Sequence, residues 1–289
     1  MKKSEIFSFV TKENILLNMN LFRAKTYRKN VTILYFHGGG LLYGVRDDLP
    51  EIYINTFLNS GYDFLAMDYP LAPESKLDKI IESSFQEILY YLKNSGGVFG
   101  LENKEYLLFG RSAGAYLCFM LCDSLIKNNE VLPLAIISLY GYARLDEAQF
   151  NTPSKYYSKL SQVPDRSIEK IISDTPVTYG PVNLRFSLYI KARQEGKWVE
   201  YVCGEEAPAK YSLDNENLQG FPPTILAAST LDPDVPYKIS KTLHKQIPNS
   251  HLITIYGEVH DFDRNISNKS GKSTYEEIVK WLEAIVENR

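Results

Sequence analysis

A serine hydroxyl attacks a carbonyl near neutral pH only when a base takes its proton, a carboxylate orients that base, and donors receive the charge developing on oxygen. The residues that could assemble such a site begin with Gly110-Arg111-Ser112-Ala113-Gly114. A serine between two glycines at this spacing belongs on a tight strand-to-helix turn. Its own dihedrals are strained there, and a side chain two positions before or after it would collide with the neighbouring strand and helix. Ser112 is the expected nucleophile.

Its base must be a histidine, and the chain has four. His244 falls in a helical stretch beside lysine and glutamine, and His251 opens a strand with no turn to reach from; both read as surface or strand-end positions. His37 precedes three glycines and reads as a residue pinning that loop through a hydrogen bond. His260 follows the last strand after Gly257-Glu258-Val259, at the carboxyl edge where the catalytic loops of open α/β sheets collect. In doubly wound hydrolases the chain order is serine, acid, histidine, so the acid should follow the preceding strand. Asp232 emerges first from that strand, in Leu231-Asp232-Pro233-Asp234, and is the expected partner. Asp234 is the alternative, with capping of the next helix as its other role. Asp261 and Asp263 are too local to orient His260 and read as solvated loop charges. The backbone N–H groups of Ala113, Gly38 and Gly39 are the expected oxyanion donors, because glycine lets backbone approach a substrate oxygen. No Gly-Lys-Ser/Thr follows the glycine run, which excludes a phosphate cradle. No His-Glu-x-x-His or Cys-x-x-Cys is present, so neither a metal nor a cofactor is expected.

These residues need a sheet to hold them. Residues 31–36, 62–67, 105–109, 133–140, 224–228 and 252–256 are short apolar runs of the kind that fill buried parallel strands. Residues 6–10 and 15–22 read as an antiparallel pair joined by a polar turn. Helical periodicity covers 51–59, 76–93, 115–127 and 236–246, and a last helix is expected from Ser273, whose hydroxyl and Glu276 fit a capping box. Two prolines fix residues 68–74 as a turn. The alternation of strand and helix predicts a doubly wound, mostly parallel sheet. It breaks over 141–220, where prolines, aromatics and a helix over 184–194 suggest an inserted helical cap. The expected organisation is a core of 1–140 and 221–289 with that cap.

The chain of 289 residues carries 35 acidic and 32 basic residues with no run of one sign, so nucleic acid is not an expected partner. No run of eighteen apolar residues and no export signal after Met1-Lys2-Lys3 are visible, which predicts a cytoplasmic protein without a membrane span. Cys118, Cys122 and Cys203 read as small core residues in a reducing compartment. Leu41, Leu42 and Tyr43, with aromatics of the cap, are candidates either for an apolar acyl pocket or for ordinary packing.

His37-Gly38-Gly39-Gly40, the turn over 68–74, the pattern over 110–114, Asp232-Pro233 and His260 together resemble the α/β-hydrolase fold, and within it the hormone-sensitive-lipase-like esterases, across residues 31–289. The resemblance implies an eight-stranded sheet and a triad of Ser112, Asp232 and His260. It also implies an oxyanion hole built on Gly38 and Gly39. The activity it implies is cleavage of small, short-acyl esters through an acyl-enzyme, with no cofactor; the same fold hosts amidases, peptidases and binding proteins without turnover. Three positions depart from the family pattern, which usually has aspartate at Arg111, glycine at Ala115 and arginine at Pro70. Arg111 reads as a surface salt bridge, or as a bias toward anionic substrates.

Overall fold

The computed structural model describes residues 4–25, 27–102, 104–257 and 260–287. The first three residues and the Glu258-Val259 link before His260 lie outside the described residues.

Eight strands form one sheet in the order β1-β2-β4-β3-β5-β6-β7-β8. The first two, β1 (Glu5–Val10) and β2 (Leu16–Phe22), are an antiparallel hairpin at the edge, and β2 pairs antiparallel with β4 (Asp63–Met67). From β4 onward, through β3 (Thr32–Phe36), β5 (Tyr106–Arg111), β6 (Ile136–Leu139), β7 (Thr224–Ser229) and β8 (Ser250–Ile255), every pairing is parallel. The strands from β3 to β7 are buried throughout. This is why they read as continuous apolar runs: both faces of a parallel sheet are covered by helices.

One face packs against α1 (Glu51–Asn59) and α9 (Lys269–Glu287), with Tyr53, Phe57, Tyr275 and Leu282 among Tyr35, Phe64 and Phe109. The other face packs against α2 (Leu77–Asn94), α3 (Ala113–Lys127) and α8 (Tyr237–Gln246). The sheet is therefore doubly wound, as its alternation of elements predicts. No described helix is long and apolar enough to cross a membrane.

Between β6 and β7 the chain leaves the sheet. It forms α4 (Asp165–Glu169), α5 (Val182–Glu195), α6 (Trp198–Cys203) and α7 (Asn215–Gln219) with three short 3-10 turns, and no described strand. Leu188, Tyr189, Trp198 and Val202 of this insertion join the same apolar cluster as α2 and α3. The insertion therefore packs on α2 and α3 and, through Trp198 and Arg185, on the loops that follow β3 and β4. Arg185 of α5 anchors it: its guanidinium pairs with the buried carboxylate of Glu74 at 2.7 Å and donates to the carbonyls of Leu42 and Ala72.

Two local expectations change. The last helix starts at Lys269, not Ser273. The Asn268 side chain accepts the N–H of Ser270, Ser273 Oγ donates to the Ser270 carbonyl, and Glu276 pairs with Lys272. An asparagine one turn earlier thus does the work expected of Ser273. Leu41 and Leu42 are fully buried core residues, which settles them as packing; Tyr43 faces the cavity described below.

Candidate active site

Ser112 stands at the end of β5 with φ 52° and ψ −118°, a strained conformation of the kind found at functional sites. Three backbone bonds hold it there: its N–H donates to the Leu139 carbonyl, and its own carbonyl accepts from Ala115 and Tyr116 in the first turn of α3. The flanking glycines are obligatory. A Cβ on Gly110 would lie 2.2 Å from the Gly114 carbonyl group, and one on Gly114 would lie 2.1 Å from the Phe36 oxygen.

The sheet register brings the other two residues to this turn. Beyond the last β7–β8 pair, Ser229 opposite Ile255, the ladder continues as Thr230 N–H to Ile255 O and Leu231 N–H to Gly257 O. The loops after both strands therefore leave side by side. Asp232 Oδ1 accepts from the N–H groups of Asp234 and Val235, which fixes the carboxylate, and its Oδ2 lies 2.6 Å from His260 Nδ1. His260 Nε2 lies 2.9 Å from Ser112 Oγ. A proton on Nδ1, facing a carboxylate, leaves the Nε2 lone pair to accept from the serine hydroxyl. Burial disfavours the imidazolium, but the charge and hydrogen bond of Asp232, helped by Asp234 and Asp261, outweigh it and raise His260 from 6.5 to about 9.

Gly38 and Gly39 lie across from this turn. A Cβ on Gly38 would sit 3.4 Å from that of Ser112, and Gly39, at φ +109°, would place one 1.9 Å from the Tyr43 oxygen. The N–H groups of Gly38, Gly39 and Ala113 donate to no other backbone oxygen among the described residues. His37 is buried, stacks on Tyr69 at 4.2 Å and has Nδ1 2.7 Å from the Gly38 carbonyl, so it pins the glycine loop. Burial pushes its pKa down. His244 contacts Ser250 and His251 pairs with Glu277, both on exposed side chains outside the site.

Ser112 and His260 open into a cavity of about 740 Å³. Tyr43, Phe186 and Tyr189 form one wall; their rings meet edge to face, Tyr43 with Phe186 at 5.3 Å and with Tyr189 at 5.8 Å. Asp48, Arg111 and Asp261 line another part. Asp234 is turned away from His260: its Oδ2 accepts from the hydroxyls of Tyr157 and Tyr189, and Arg193 lies 3.1 Å from Oδ1. It contacts the insertion, whereas Asp232 contacts the histidine. Among the described residues no group of three or more His, Cys, Asp or Glu side chains could hold a metal ion.

Two residues are misread from sequence alone. Arg111 is 6% exposed and is no surface salt bridge. Its Nε donates to the Tyr140 hydroxyl at 2.7 Å, its Nη1 to Asp48 at 3.1 Å and its Nη2 to Asp263 at 3.1 Å. Asp263 is fully buried rather than solvated, and also accepts from the hydroxyls of Tyr140 and Tyr275. Burial works against the guanidinium, but Asp263, Tyr140, Tyr35 and Asp48 hold its pKa well above the ordinary value. No sequence spacing marks Asp48 as a partner of Arg111, or Tyr275 as a partner of Asp263. Tyr140 has a signal: it is the first residue after a central strand, at the edge where Ser112 emerges.

Comparison with known proteins agrees with this architecture. A family profile described as alpha/beta hydrolase fold matches residues 33–264. The chain is 25% identical over 166 residues to the hormone-sensitive lipase of Bos taurus, covering 57% of this chain and 21% of the lipase. It therefore spans about a fifth of that relative's length. It is 24% identical over 250 residues to an esterase of Gibberella moniliformis, covering 85% of this chain and 71% of the esterase. The crystal structure of an alpha/beta hydrolase superfamily protein from Enterococcus faecalis superimposes with a TM-score of 0.81 at 28% identity, over 98% of each chain. With its doubly wound eight-stranded sheet, this chain belongs to the α/β-hydrolase fold family, and within it resembles the hormone-sensitive lipases and esterases.

Proposed function

We propose that this protein is a serine hydrolase that cleaves small carboxylic esters with short acyl groups through an acyl-enzyme. The observation that carries the reading is the continuous chain from Asp232 Oδ2 to His260 Nδ1 at 2.6 Å and from His260 Nε2 to Ser112 Oγ at 2.9 Å. In the first half-reaction His260 takes the Ser112 proton as Oγ attacks the ester carbonyl. The resulting imidazolium, stabilised by Asp232, then protonates the leaving alcohol. In the second half-reaction His260 takes a proton from water, which attacks the acyl-serine, and returns it to Oγ as the acid departs. The N–H groups of Gly38, Gly39 and Ala113 receive the oxyanion in both tetrahedral intermediates, each such donor lowering the barrier by about 3 kcal/mol. No cofactor enters any step.

The substrate is a small molecule, in keeping with the size of the cavity. The core is residues 1–140 and 221–289, and residues 141–220 are the cap that covers the site and supplies Phe186 and Tyr189 to its wall. The buried, unpaired thiols of Cys118, Cys122 and Cys203 suit a reducing cytoplasm.

The test is hydrolysis of p-nitrophenyl esters of increasing acyl length, beside the matched anilides. The reading expects the highest kcat/KM at short acyl chains, little turnover of the anilides, and a loss of at least about 10⁴-fold in Ser112→Ala. Equal background rates in wild type and variant would sink the hydrolase reading. Preference for the anilides would replace the esterase with an amidase.

A further inference from the structure

We propose that Arg111, with Asp263 and Tyr140, is a positioning unit that fixes the His260 imidazole against Ser112 and ties the glycine loop to the same point. This rests on the hydrolase reading above. The unit joins three segments that carry different parts of the chemistry. Arg111 immediately precedes Ser112, Asp263 lies three residues after His260, and Asp48 follows the glycine loop. The Arg111 guanidinium reaches the other two, through Nη1 to Asp48 and Nη2 to Asp263, and its Nε donates to the hydroxyl of Tyr140 at the end of β6.

The effect on His260 is geometric. The Asp232 hydrogen bond holds one atom of the imidazole and leaves the ring free to swing about that contact. The Tyr140 ring removes this freedom, packing on the imidazole with centroids 4.7 Å apart and planes inclined at 57°. Tyr140 is itself over-determined. It has φ +42° at the end of β6, its hydroxyl accepts from Arg111 Nε, and that hydroxyl donates to Asp263 Oδ1 at 2.7 Å. Strained backbone next to a reacting group persists only where the surroundings hold it. Asp263, anchored also by Tyr275, fixes the loop that carries His260 from the other side.

Arg111 does not serve as a subsite for an anionic substrate. Its guanidinium faces two carboxylates, Asp48 and Asp263, and its donors are directed at protein acceptors. Lysine at this position would keep the charge but lacks the planar fork that spans three acceptors.

The experiment compares Tyr140→Phe, Arg111→Lys, Arg111→Met and Asp263→Asn with wild type on p-nitrophenyl acetate. It reads kcat and KM separately, the rate of inactivation by a fluorophosphonate, and the thermal midpoint. A reacting group displaced by about 1 Å costs on the order of 100-fold in rate. Arg111→Met and Asp263→Asn should therefore lower kcat about 100-fold, and Tyr140→Phe and Arg111→Lys about tenfold. KM should stay within about threefold, and fluorophosphonate inactivation should slow in parallel with kcat. If the buried-charge variants fail to fold, Tyr140→Phe, which keeps ring and charges, and Arg111→Lys decide the matter. Unchanged kcat per labelled site in those two, with only the thermal midpoint lowered, would overturn the proposal and leave Arg111 a stability element. Wild-type protein that neither hydrolyses the ester nor reacts with the fluorophosphonate would overturn the hydrolase reading and this inference with it.

Discussion

At His260 two effects oppose each other, and under the proposed hydrolase reading their balance governs the expected pH dependence of catalysis. Burial disfavours the imidazolium, while Asp232, Asp234 and Asp261 favour it and win, raising the group from 6.5 to about 9. A general base must be neutral to accept the serine proton. The kcat/KM of ester hydrolysis should therefore rise with pH through an inflection near 9, well above the ordinary imidazole value. Asp232→Asn should move that inflection down toward 6.5 and lower kcat about 10⁴-fold, because the imidazole loses both its charge partner and its fixed tautomer. Stability should run the other way. A group whose pKa is raised on folding contributes stability fully below its unfolded value and loses it as pH rises toward the folded value. The wild-type thermal midpoint should accordingly fall between about pH 6.5 and 9, and fall less in Asp232→Asn, as followed by circular dichroism. A flat pH-rate profile across this window would refute the assignment of His260 as base.

At the scale of elements, the strand-turn-helix unit of β5 and α3 is packed without slack. Gly114 touches the ends of β3, so a methyl there must push the Phe36 and His37 carbonyls aside. Gly114→Ala should destabilise the protein by about 3 kcal/mol, at the upper end of single-substitution effects, as measured by chemical denaturation. Ala115 shows how a departure from the family pattern is absorbed in the same unit. A Cβ on Gly141 would lie 2.5 Å from the Ala115 Cβ, so the space that the Ala115 methyl occupies between α3 and the segment after β6 is space that Gly141 leaves open. Gly141→Ala in the wild-type background should destabilise the protein, and the same change with Ala115→Gly should destabilise it less; equal losses would refute the exchange.

At the scale of the molecule, the insertion between β6 and β7 is tied to the core by apolar packing and by buried polar contacts, among them the Arg185 pair. Arg185 meets Glu74, whose side chain is 1% exposed and also accepts the N–H of Ser173 from the insertion itself. Removing one partner of a buried pair leaves the other charge uncompensated, at a cost of about 3–5 kcal/mol. Arg185→Ala should therefore loosen residues 141–220 and admit limited proteolysis there before the sheet is cut. Combining it with Glu74→Ala should restore part of the stability. Cleavage that begins instead within the β3–β5 region would show that Arg185 holds the core rather than the insertion. Asp234, with Tyr157, Tyr189 and Arg193, gives the insertion another buried attachment, two residues from the carboxylate that contacts His260.

The sequence by itself determined the sheet and the pieces of the site. Buried parallel strands are continuous apolar runs, amphipathic helices repeat every three to four residues, and a serine between glycines demands one local turn. These signals are local, and Ser112, His260, the glycine loop and the Asp232–Asp234 turn could all be found from them and from chain order. Only the tertiary structure showed which of Asp232 and Asp234 meets His260, because two carboxylates two residues apart differ in direction rather than in spacing. One faces His260, and the other faces the phenols of the insertion. Tertiary structure also reversed the reading of Arg111 and Asp263. Their partners, Asp48, Tyr140 and Tyr275, come from distant parts of the chain, and a charge among polar neighbours in sequence carries no mark of burial until the fold closes around it.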